Sequence, residues 1–180
     1  MTPATLQFVP FERRHAFEML SWRYPAPYEI YNAAEPVNEA AIHALLQPEL
    51  HYLSVLNEQD EMIAFQCYGS DAQVPGGDYT AEALDLGGGL RPDLTGNGIG
   101  RNVIAAAMNY AVRQFHPRLF RVTVAGFNQR ATKVCERLGY KVANHFTRPA
   151  DGLEFQIMPQ PAKMIALSIP MQVNEPKHHA

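Results

Sequence analysis

The sequence predicts an α/β fold of the α+β kind, a mixed and largely antiparallel central sheet flanked by about four helices. Three observations carry that expectation. Strand-like and helix-like periodicities alternate in the order strand, helix, helix, three or four strands, helix, strand, helix, two strands. The polar run Asn57-Glu58-Gln59-Asp60-Glu61 separates two strand-like stretches closely enough for an antiparallel hairpin. Leu84 to Ala111 then reads as a short glycine-dense strand, a proline and glycine turn, and a helix with buried spacing.

Taken in order, Thr5 to Phe11 alternates around Leu6 and Phe8 as a first strand, and Glu12 to Leu20 has helical spacing with Phe17 and Leu20 on one face. Pro25 and Pro27 stop the helix inside the run Trp22 to Asn32, which holds Trp22, Tyr24, Tyr28 and Tyr31. Aromatics braced by prolines form a semi-apolar wall with polar tips that suits an acceptor pocket or a cation; they equally suit packing of a long connection onto a sheet. Asn38 is placed to cap a helix from Glu39 to Leu46 that Pro48 ends. Leu50–Leu56 and Met62–Tyr68 are the hairpin strands, and Ser70 to Thr80 is a loop.

Glu82 to Leu90 is the expected central strand. Its glycines 87, 88 and 89 weaken a strand and signal a bulge, a close approach of another backbone, or room for the aromatic loop. Ile99 to Phe115 is a helix ended by Pro117, Leu119 to Ala125 a strand, and Gln129 to Leu138 a helix between the cap Asn128 and the stop Gly139. Tyr140–Thr147 and Leu153–Met158 pair around the turn Pro149 to Gly152. In the tail, Met164 to Ile169 alternates, and either adds an edge strand or meets a second subunit of a homodimer. His178 and His179 lack a carboxylate or cysteine at ligand spacing, so no metal site is expected.

With 180 residues, 47% apolar and 18% charged, the chain is sized for one domain with a real core. No apolar run approaches the roughly 18 residues of a membrane span, and the first residues lack a signal peptide's basic and apolar regions, so a cytoplasmic protein without a membrane partner is expected. The two cysteines, Cys67 and Cys135, fall in a strand and a helix, which argues against a disulfide framework. Charge is unevenly spread. Residues 1–90 carry 3 basic and 13 acidic side chains, whereas residues 91–148 carry 10 basic and 2 acidic. That split suits a phosphate-bearing ligand on the second half and a cationic one on the first, or else segregated solvated faces. The basic half has no compact Lys/Arg run with interleaved aromatics, so nucleic acid is not expected as a partner.

Before the long helix, Thr95-Gly96-Asn97-Gly98-Ile99-Gly100 sets glycines at alternate positions where the first helical amides have no intrahelical partner. Outward amides and the positive helix end make an anion cradle, although glycines also mark ordinary turns. The loop lacks the Gly-Lys-Ser/Thr ending of a nucleotide P-loop, and its G-x-G-x-G spacing is not the dinucleotide fingerprint. It resembles the coenzyme A loop of the GNAT superfamily of N-acetyltransferases, Gln/Arg-x-x-Gly-x-Gly/Ala. Gly98 and Gly100 hold the fixed positions, Leu90-Arg91-Pro92 leads in, and Thr95 replaces the Gln or Arg. The run from Asn128 through Ala131, Cys135, Glu136 and Gly139 to Tyr140 is similar to the family's Asn-x-x-Ala-x-x-x-Tyr-Glu-x-x-Gly-Phe, with Cys135 in place of Tyr.

The resemblance implies a GNAT-like domain over 1–160, a C-terminal extension over 161–180, and an acetyl-CoA-dependent N-acetyltransferase working by direct transfer. The implied cofactor contacts are Leu90, Arg91, Thr95, Gly96, Asn97, Gly98, Ile99, Gly100, Arg101 and Asn128. Trp22, Tyr24, Tyr28 and Tyr31 would meet the acceptor, a small cationic amine or a protein N-terminus. Asp85 or Glu82 would serve as base, and Cys135 as acid, unless it is a buried packing residue and the two carboxylates are ordinary strand-end groups. The alternative is an acyl-CoA-binding regulatory module without catalysis.

Overall fold

The computed structural model describes residues 5–174, so His178 and His179 lie outside the described residues. One eight-stranded sheet runs in the order β6-β7-β5-β4-β3-β2-β1-β8. Its strands are β1 Leu6–Pro10, β2 Leu53–Leu56, β3 Met62–Tyr68, β4 Leu84–Leu90, β5 Leu119–Ala125, β6 Asn144–Thr147, β7 Glu154–Pro161 and β8 Met171–Val173. Four α-helices accompany them: α1 Arg13–Ser21, α2 Glu39–Leu45, α3 Gly100–Phe115 and α4 Gln129–Leu138. The sheet is largely antiparallel; β1–β8 and β4–β5 are the parallel pairs.

The main core lies between the sheet and α3 with α4. Ala105, Ala106, Ala107 and Ala111 are fully buried, so the small side chains let α3 lie close on Phe120, Val122 and Val124 of β5. Asn128 caps α4 by accepting from the Ala131 amide at 3.1 Å, and Gly139, at φ 101°, ends it. A smaller core of Trp22, Leu56 and Met62, packed by Phe11, Met19, Tyr24 and Phe65, holds α1 on the opposite face.

The strand before α3 begins at Leu84 rather than Glu82, and β2 begins at Leu53, because Pro48–Leu50 forms a short helical turn and His51 adopts φ 49°. Tyr140, 1% exposed, packs in the core beyond the α4 cap, and the following strand is confined to Asn144–Thr147. No bulge forms at Gly87–Gly89: β3 and β4 pair without a register shift from Ala64↔Leu90 to Tyr68↔Leu86. Those glycines answer to close approach. A methyl on Gly88 would lie 2.5 Å from the Phe65 carbonyl oxygen, and one on Gly87 would lie 2.8 Å from Cys67 Sγ.

The edge strand in the tail is Met171–Val173, beside β1, and Met164–Ile169 is not part of it. Residues 162–174 pack on α3 and the main core. Asn109 of α3 exchanges two hydrogen bonds with the Ile165 backbone, at 2.7 and 2.8 Å, and Ile169 is buried in the main core.

What positions the site is the parting of β4 from β5. They pair only at Leu84↔Phe120 and Asp85↔Arg121, whereas β5 pairs with β7 along its whole length. Beyond Asp85 a gap opens in the middle of the sheet.

Candidate active site

The gap leads from β4 to the N-terminus of α3. Gly96 and Gly98 adopt φ 82° and 81°, a left-handed conformation that glycine reaches without strain. Thr95 turns its hydroxyl to the Pro92 carbonyl, Asn97 donates to the Asp93 carbonyl, and Ile99, 3% exposed, anchors the loop in the core. No side chain caps α3, its first turn has no acidic residue, and Arg101 stands there. A cation at a helix N-terminus opposes the macrodipole, an arrangement that an anion at the same place would relieve. Apart from its two chain neighbours, nothing lies within 4 Å of where a Gly98 Cβ would sit, so the cradle is open there.

Alternation along β4 decides which backbone groups line the gap. The Asp85 carbonyl accepts from Gly69 and the Arg91 amide donates to Ile63, both toward β3, so Leu86, Gly88 and Leu90 direct theirs toward the gap. The Leu90 carbonyl is occupied by the Tyr24 hydroxyl at 2.7 Å. From there the Trp22–Asn32 segment crosses the gap. Asn32 ties it into a closed loop by bonding the Tyr24 amide and carbonyl, and its far end meets the start of α4. There Asn128 Nδ2 donates to the Tyr31 hydroxyl at 3.0 Å, and Arg130 donates to the Tyr28 hydroxyl at 2.9 Å while lying 4.0 Å above its ring.

Tyr24, Tyr28, Tyr31 and Asn128 are thus brought together around the gap. Trp22, 8% exposed, is not; it packs against Phe65 in the smaller core. Arg91 is turned away to Asp93 and the Met62 carbonyl, and its amide is taken by the Ile63 carbonyl of β3. Arg130, whose Nη1 reaches Thr95 Oγ1 at 3.4 Å, is a cation at the cradle rim that sequence reading passed over. Its position two residues after Asn128 was the available signal.

The three proposed acid and base residues fare differently. Asp85, 2% exposed, accepts from Arg121 on both oxygens and from Gln73 on one. It stands as the buried partner of Arg121. Glu82 is exposed ahead of β4. Cys135, 3% exposed within the main core, has its thiol pushed up to about 12 by burial, with the Glu136 charge adding to it. It is a packing residue rather than a group facing the gap. Burial likewise raises Tyr24 to about 12 and lifts Tyr31 above the ordinary phenol value, with the Asn128 hydrogen bond pulling the other way. On β5, Thr123 pairs at 3.0 Å with Tyr79, whose hydroxyl also accepts from the Val74 amide.

Among the described residues, no cluster of three or more His, Cys, Asp or Glu could hold a metal ion, and no helix is long and apolar enough to cross a membrane. Residues 5–141 match the family model described as an acetyltransferase (GNAT) domain. No curated protein matches the sequence. Among solved structures, a chimera of the Vibrio cholerae spermidine N-acetyltransferase SpeG with hSSAT superposes with TM-score 0.66 at 17% identity, over 87% of this chain and 95% of that one. A GNAT-family acetyltransferase from Bacillus anthracis gives TM-score 0.66 at 11% identity, with the same coverage. A mutant form of the Vibrio cholerae enzyme gives 0.65 at 16%, covering 87% and 94%. At such identities the likeness is one of fold.

Proposed function

Because the chain belongs to the GNAT acetyltransferase family, we propose that it moves an acetyl group from acetyl-CoA directly to a primary amine. One observation carries the reading: the gap between β4 and β5 offers the backbone of Gly88 and the Leu86 carbonyl, and runs to the cradle before α3, open at Gly98. An extended amide-bearing arm suits the strand edge, and a pyrophosphate suits the cradle.

In direct transfer the amine nitrogen attacks the thioester carbonyl carbon, the C–S bond breaks, the nitrogen loses a proton and the departing sulfur gains one. The Gly88 amide, which faces the gap, polarises the carbonyl. Tyr31, whose hydroxyl accepts from Asn128 and so keeps its own proton to give, is the phenol offered to the sulfur in place of the missing one at position 135. Glu82, exposed beside the start of β4, is the carboxylate left to receive the amine proton through water.

The test is release of free coenzyme A thiol from acetyl-CoA in the presence of a panel of primary amines, with mass spectrometry of the products. Amine-dependent release with an acetylated product supports transfer. The burial of Cys135 and the ion pairing of Asp85 favour a second reading, an acyl-CoA-binding module, which predicts saturable binding without turnover on any amine.

A further inference from the structure

Over β4, on the face opposite α3, lies a second cluster that the cofactor groove does not use. Its floor is Gly87 and Gly89. A methyl on Gly89 would lie 2.8 Å from the Phe65 ring and 3.1 Å from the Tyr24 hydroxyl, and one on Gly87 would touch Cys67 Sγ and Ala72. The Phe65 ring lies between Trp22 and Tyr52, with both centroid separations at 6.0 Å, and Phe11 backs Tyr52 at 5.1 Å. Ala72 belongs to the short helical turn Ser70–Ala72, so its neighbour Asp71 is brought to the edge of this aromatic wall.

Asp71 is exposed, and the Tyr52 hydroxyl donates to its Oδ2. Among the described residues it has no salt-bridge partner. An unneutralised carboxylate, one oxygen held by a phenol and the other unclaimed, therefore stands beside half-buried ring faces, close to where β4 leaves β5.

Resting on the transferase reading, we propose that Asp71 and Tyr52 form the subsite for the ammonium of the acceptor, and that the acceptor is a straight-chain alkylamine whose methylenes lie along Tyr52 and Phe65. The carboxylate supplies the charge-assisted hydrogen bond and the rings supply apolar contact and cation attraction.

The experiment measures acetylation of a series of alkylamines, alkyldiamines and short unblocked peptides by wild type, Asp71→Asn and Asp71→Glu, with acetyl-CoA binding followed by calorimetry. Asp71→Asn is expected to raise KM for the alkylamines about tenfold or more, the scale of one charge-assisted contact. The Asp71→Glu variant recovers part of it, and acetyl-CoA affinity is unchanged in both. An unchanged KM in Asp71→Asn, a preference for peptides, or acetyl-CoA binding without acetylation of any alkylamine overturns the subsite. Absence of acetyl-CoA binding in the wild type instead removes the transferase reading, and this proposal with it.

Discussion

The guanidinium of Arg121 on β5 holds both carboxylate oxygens of Asp85 on β4, Nε to Oδ1 at 2.6 Å and Nη2 to Oδ2 at 2.8 Å. The two side chains are 5% and 3% exposed, and they face each other at the last residue pair before the strands part. The ion pair closes the sheet immediately below the gap. Arg121 also binds the Ala81 carbonyl and covers the Tyr79 ring at 4.8 Å, so the loop before β4 is held by the same group.

Removing one partner of such a pair strands a buried charge. Arg121→Met is expected to cost about 3–5 kcal/mol of stability by urea unfolding, and Arg121→Met with Asp85→Leu to recover most of it. Equal losses in the single and double variants would show that the pair contributes through packing alone.

Tyr31→Phe removes the phenolic proton and the contact with Asn128 while keeping the ring against Phe127. Loss of a general acid is expected to lower kcat by roughly 10²-fold with acetyl-CoA affinity nearly unchanged. An unchanged kcat would take the acid role away from Tyr31.

Burial pushes the thiols of Cys67 and Cys135 up from 9.0 to about 12. The folded state therefore keeps protons that the unfolded state sheds above pH 9, so their contribution is complete below pH 9 and is lost as the pH rises toward 12. Urea unfolding in the alkaline range is expected to show falling stability, less steeply in Cys135→Ala. Identical pH profiles for wild type and Cys135→Ala would contradict the burial assigned to that thiol.

Much of this was legible in the chain. Met62–Tyr68, Leu119–Ala125 and Gln129–Leu138 have the bounds their periodicity and caps indicate, because buried faces and cap chemistry are local properties. Of the readings the β4 glycines allowed, the structure selects close approach rather than a bulge, a choice that depends on pairing with β3 that no local pattern encodes. Asp85 read as a free carboxylate because its partner lies 36 residues away. Asp71 was hidden in a loop whose turn only the packing of Ala72 on Gly87 makes meaningful. Arg130 and Cys135 share α4, yet one is exposed beside the cradle and the other is sealed in the core, a distinction set by the sheet beneath them.

Calorimetric titration with acetyl-CoA reads out whether the Gly98 cradle binds the phosphate-bearing donor. Gly98 has φ 81° and open space around it, a position where Asn and Asp are the side chains best tolerated. Wild type and Gly98→Asn are expected to bind acetyl-CoA saturably, and Gly98→Asp, nearly the same size but negatively charged, to lose at least about tenfold in affinity. Equal affinity in Gly98→Asn and Gly98→Asp, or no binding by the wild type, would contradict the account.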